Sequence, residues 1–74
     1  MYTRSDFAKG LSAQLEQGFD SVRIARWAYQ MFLDKVRELE PGSKDSIMSI
    51  VLIEEPQFEM SKDELLSFID TLHA

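Results

Sequence analysis

Apolar positions recur with a helical rhythm over most of the chain, and turn residues cut it into four segments. In the first, Phe7, Leu11 and Leu15 follow one another every four residues with Ala8 beside them, a single narrow stripe on an otherwise polar helix. Thr3-Arg4-Ser5-Asp6 offers N-cap residues ahead of it, and Gly18 a C-terminal stop. Gly10 lies inside the stripe and should weaken the helix by about 1 kcal/mol relative to Ala.

The second segment starts at Asp20 or Ser21 and runs to about Glu38. On a wheel of about 100° per residue, Ala25, Ala28, Phe32, Val36 and Leu39 share one face. Val22, Tyr29 and Leu33 widen that face on one side, and Ile24, Met31 and Trp27 on the other. The apolar arc reaches about 240°, too wide for a helix lying on a surface. The expectation is a central helix with the others packed around it. Glu40-Pro41-Gly42-Ser43 ends the segment.

Ser43 or Asp45 opens the third segment, Ile47-Met48-Ser49-Ile50-Val51-Leu52-Ile53. Its β-branched residues would suit a strand, but no other stretch could pair with it, and a lone strand leaves its backbone groups unsatisfied. Helix is the better reading. Pro56 stops it, and Gln57-Phe58-Glu59-Met60 should cross the bundle in extended form. Ser61-Lys62-Asp63-Glu64 is a capping-box pattern before the last helix, whose inward stripe is Leu65, Phe68, Ile69 and Leu72, with Leu66 at its edge. The sum is one all-α domain over residues 1–74, a compact four-helix fold with the second helix central.

Composition narrows the chemistry. The chain has no Cys, so disulfides, thiolate metal sites and cysteine nucleophiles are excluded. A single histidine, His73, near the end of the last helix, gives little scope for histidine catalysis and should be solvated. No Gly-rich phosphate loop, HExxH pair, GxSxG elbow or EF-hand spacing is present. No cofactor is implied. The formal net charge is -5 with 13 acidic against 8 basic side chains, and no basic run could neutralise phosphates, so nucleic acid is not an expected partner. The N-terminal residues lack the apolar region of a signal peptide, and no apolar run is long enough to span a membrane. A soluble cytoplasmic protein is expected.

The charge is unevenly divided. Residues 1–37 carry six basic and four acidic side chains, whereas residues 38–74 carry two basic and nine acidic. Asymmetry of this kind points to a partner of opposite sign. Glu54, Glu55, Glu59, Asp63 and Glu64 fall within eleven positions and could speed encounter with a basic protein. The same carboxylates could instead hold a metal ion, or simply suit a helix end and the next helix's N-terminus. Two aromatic side chains could supply apolar contact area. Trp27 would be an interface anchor if exposed, or a cap on the far side of the core if not. Phe58 could anchor a partner or plug the core between the last two helices.

The stretches Ile24-Ala25-Arg26-Trp27-Ala28-Tyr29 and Ile47 to Leu65, with Glu54-Glu55-Pro56-Gln57-Phe58-Glu59 in the latter, resemble small acidic helical bacterial proteins. Among these are the immunity proteins of colicin D-type and contact-dependent inhibition systems. The resemblance implies a protein that binds a basic toxin nuclease domain and blocks it with carboxylates standing in for nucleic-acid phosphates. The leading expectation is therefore a non-enzymatic interaction protein, with Glu54, Glu55, Phe58, Glu59, Asp63, Glu64 and Trp27 as partner-binding residues. The alternative is a self-associating structural or regulatory module, a homodimer joined through its apolar third helix with Met31, Met48 and Met60 as adaptable contacts.

Overall fold

Capping chemistry sets the helix boundaries. In the computed structural model, which describes residues 1–73, the Thr3 hydroxyl accepts from the Asp6 amide at 3.0 Å and the Asp6 carboxylate accepts from the Thr3 amide at 3.0 Å. This reciprocal box opens α1 (Arg4–Glu16). Gly18 follows at φ +119°, a backbone conformation that terminates the helix and that L-residues seldom adopt. The Asp20 carboxylate caps α2 (Ser21–Lys35) by accepting from the Arg23 amide. Gly42, at φ +92°, turns the chain into α3 (Ser43–Val51). A second reciprocal box, Ser61 with Glu64, opens α4 (Lys62–His73).

These helices form two pairs, α2 on α3 and α1 on α4, and α1 also touches α2 and α3. One apolar core joins all four: Phe7 and Leu11 from α1, Ile24 and Ala28 from α2, Ile47 and Ile50 from α3, and Leu65 and Ile69 from α4 are buried, as is Ile53 just after α3. The radius of gyration is 11.2 Å, close to the roughly 11 Å of a compact domain of this length. The all-α, four-helix expectation holds, and residues 47–51 are helical.

α2 packs on α3, on the turn that follows α3 and on α1, and leaves one side open. Val22, Tyr29, Leu33 and Val36 are 42, 50, 50 and 51% exposed. The wide arc does not reflect neighbours on every side. Three short helices cannot surround a fourth in a chain of this size, and α2 buries only the side carrying Ile24, Ala25 and Ala28. Trp27 faces inward. Its ring stacks on that of buried Phe7, with centroids 5.2 Å apart and planes 11° from parallel.

The N-terminal residues are strapped to the α2–α3 loop. Tyr2 and Leu39 form an isolated parallel bridge, with Tyr2 N–H donating to Glu38 O at 2.6 Å and Glu40 N–H to Tyr2 O at 3.1 Å. Burial and the nearby Asp6 carboxylate raise the Tyr2 phenol above its usual value. Arg4 and Glu40 pair across the strap at 3.8 Å, the one ion pair among the described residues. Arg23 ties the start of α2 to the end of α1. Its guanidinium donates to Gln14 O at 2.7 Å and Gly18 O at 2.6 Å, closing the carbonyl end of α1.

Candidate protein-binding edge

Between α3 and α4 the chain makes two single turns of 3-10 helix, Leu52–Glu54 and Pro56–Phe58. Ile53 is fully buried and pins the first turn to the core. Pro56 stands at the first position of the second, where its fixed φ is pre-set and no amide is needed. The turns close with Glu55 N–H on Leu52 O at 3.0 Å and Phe58 N–H on Glu55 O at 2.9 Å. The extended crossing expected for residues 57–60 is therefore replaced at Gln57 and Phe58 by a turn, and the chain becomes extended at Glu59. With Ile53 inside and half-buried Met60 re-entering, the residues between them are left on the surface.

Phe58 is consequently not a core plug: it is 49% exposed. Glu54, Glu55 and Glu59 are exposed on the same corner, and Asp63 is exposed on the first turn of α4. None of these four carboxylates makes a side-chain hydrogen bond or ion pair among the described residues, so all remain open to a partner. Glu64 has a different occupation. Its Oε1 accepts from the Ser61 amide at 3.0 Å while Ser61 Oγ accepts from the Glu64 amide at 3.1 Å. The Ser61 amide, and then its hydroxyl, hold the Glu64 carboxyl below the ordinary range. Trp27 stays with Phe7 and does not join the corner.

No group of three or more acidic or histidine side chains among the described residues is placed to hold a metal ion. His73 is exposed, and its Nδ1 lies 3.3 Å from Ser5 Oγ. No carboxylate orients that imidazole among the described residues, so the contact lacks the third member of a nucleophilic relay. Among the described residues, no helix is long and apolar enough to cross a membrane.

One feature escaped the sequence reading. A surface cleft of about 430 Å³ lies between α2 and the end of α3, lined by Ala25, Arg26, Tyr29, Gln30, Val51 and Glu54. The acidic corner thus begins in the wall of a cleft whose other wall is α2. Comparisons with family models, curated proteins and solved structures find no match.

Proposed function

We propose that this chain is a non-enzymatic interaction protein of immunity or inhibitor type, which binds a basic protein through the corner between α3 and α4. The observation that carries this reading is the exposure of Phe58 on the same corner as carboxylates that have no side-chain partner among the described residues. An aromatic ring ringed by like charges is costly to keep in water, but it suits a surface of Lys and Arg with an apolar pocket between them. Glu54, Glu55, Glu59 and Asp63 would steer and pair with the cations, and Phe58 would fill the pocket. Glu64 and Trp27 support the scaffold rather than the contact. In the toxin-nuclease version of this reading, the carboxylates occupy the positions that phosphates take in the enzyme's own complex.

The test compares capture of partners from the source lysate by the wild-type chain, by Phe58→Ala and by the triple variant Glu54→Gln, Glu55→Gln, Glu59→Gln. One basic protein should be recovered at low salt, lost at high salt, and lost or weakened with either variant. Its catalytic activity, if it is a nuclease, should be inhibited by the wild-type chain alone. Recovery that is indifferent to salt and to the triple variant would sink the reading.

A further inference from the structure

Val22, Arg26, Tyr29, Leu33 and Val36 are spaced 4, 3, 4 and 3 residues apart along α2, and exposed Phe19 stands just ahead of its N-cap Asp20. This is the spacing of a helix that packs lengthwise on another helix. The five apolar members are 41, 42, 50, 50 and 51% exposed in chain order, while Ile24 and Ala28 on the other side of α2 are buried. The seam runs the whole length of α2 and has no cover in the folded chain.

We propose that this seam is the interface of an antiparallel homodimer. A two-fold axis passing between residues 27 and 28 places every seam position opposite another. Phe19 meets Val36 of the second copy, Val22 meets Leu33, and Arg26 meets Tyr29; the symmetry then repeats each pair. The one charged member of the seam decides the orientation. A parallel pairing would set Arg26 against Arg26 of the second copy. The antiparallel one instead lays each guanidinium on a tyrosine ring, a favourable cation–π arrangement.

The cleft beside the seam is placed to receive that guanidinium. Tyr29 and Glu54 both line it, so Arg26 of the second copy arrives at an aromatic face with a carboxylate in the adjoining wall. At the ends of the seam, Lys35 falls opposite Asp20 of the second copy, again with opposite signs. A single polar residue in such a seam commonly fixes register in this way. The five apolar side chains expose roughly 400 Å² between them, about half the ~800 Å² per partner of a stable complex. The contact therefore lies at the small end of specific interfaces, and the dimer should dissociate on dilution.

Sedimentation equilibrium of the full chain from low micromolar to millimolar concentration tests it. The mass should climb from 8.6 kDa toward twice that value. Leu33→Glu should raise the dissociation constant about tenfold or more, with unchanged helical circular dichroism because Leu33 is half exposed. Since the chain has no Cys, Val22→Cys and Leu33→Cys can be prepared separately and oxidised alone or mixed. Disulfide dimers should form faster in the mixture than in either solution alone. A mass of 8.6 kDa throughout overturns the proposal and leaves the seam to a helix from another protein. So does a dimer indifferent to Leu33→Glu, or crosslinking that is fastest like with like.

Discussion

Gly10→Ala separates local helix preference from tertiary packing in a single substitution. Considered as an isolated helix, α1 should gain about 1 kcal/mol from the change. The folded protein puts Trp27 in the way. A Cβ at residue 10 would lie 2.6 Å from Trp27 Cζ2 and 3.1 Å from Cη2, closer than carbon atoms can approach. The indole cannot retreat freely, because its ring is stacked on that of buried Phe7. Overpacking of this kind costs about 1–3 kcal/mol, and loss of the stack would add about 0.5–1.5 kcal/mol. After the helix gain is subtracted, Gly10→Ala should destabilise the protein by about 0.5–3.5 kcal/mol. For a domain this small each kcal/mol lowers Tm by roughly 4–8 °C. Urea and thermal melts followed by circular dichroism measure it, and the fluorescence of the sole tryptophan reports displacement of the ring. Trp27→Phe provides the control, since phenylalanine lacks the atoms that clash. In that background Gly10→Ala should be neutral or stabilising by up to about 1 kcal/mol, giving a coupling readable in a double-mutant cycle. Equal stabilisation in both backgrounds would refute the packing of Trp27 over Gly10.

Three other outcomes follow from the same structure. Ser43 is fully buried and its hydroxyl has no hydrogen-bond partner among the described residues, so Ser43→Ala should stabilise the protein by about 1 kcal/mol in chemical denaturation. Gly42→Ala should cost about 1–2 kcal/mol in the same assay, because a Cβ is strained at φ +92° even though the space around it is open. Asp6 and Glu64 are held below their ordinary values of 3.8 and 4.5, first by the amides of Thr3 and Ser61 and then by their hydroxyls. Both carboxylates are favoured in the folded state, so their stabilisation is present above those values and disappears as pH falls through the folded ones. NMR titration should find both midpoints depressed, and Ser61→Ala should move Glu64 upward while leaving Asp6 in place.

The helix ends were legible because they depend on residues within four positions of one another. Thr3 with Asp6, Asp20 ahead of Ser21, and Ser61 with Glu64 act locally, and each does in the fold what its spacing promised. The core stripes of α1 and α4 were legible for a related reason: each is narrow enough to have only one buried side. For α2, wheel geometry gave the breadth of the apolar arc but not how many neighbours would be available to cover it. That number is set by the lengths of the other helices and by pairing α2 with α3. Trp27 and Gly10 belong to different helices, and nothing in either segment announces that one ring lies over the other residue. At the acidic corner the charge was evident from composition. The exposure of Phe58 was not, because it depends on two 3-10 turns where an extended crossing was the simpler reading.

The two proposed surfaces meet at one side chain, and this has a thermodynamic consequence. Glu54 lines the cleft that would receive Arg26 of a second copy, and it is also the first carboxylate of the corner offered to a basic partner. One carboxylate can satisfy both only in part. If both surfaces bind as proposed, each occupant weakens the other by the same factor, since coupling between two binding equilibria is reciprocal. Adding the basic partner should then shift the homodimer toward monomer, and Leu33→Glu should tighten partner binding at concentrations where the wild-type chain is dimeric. Glu54→Gln should weaken both equilibria and reduce the coupling between them. Titrating the partner into wild-type chain, Leu33→Glu and Glu54→Gln by calorimetry at low and high chain concentration reads all three effects. Partner affinity identical for wild-type chain and Leu33→Glu at every concentration would show that the two surfaces are independent, even if each binds.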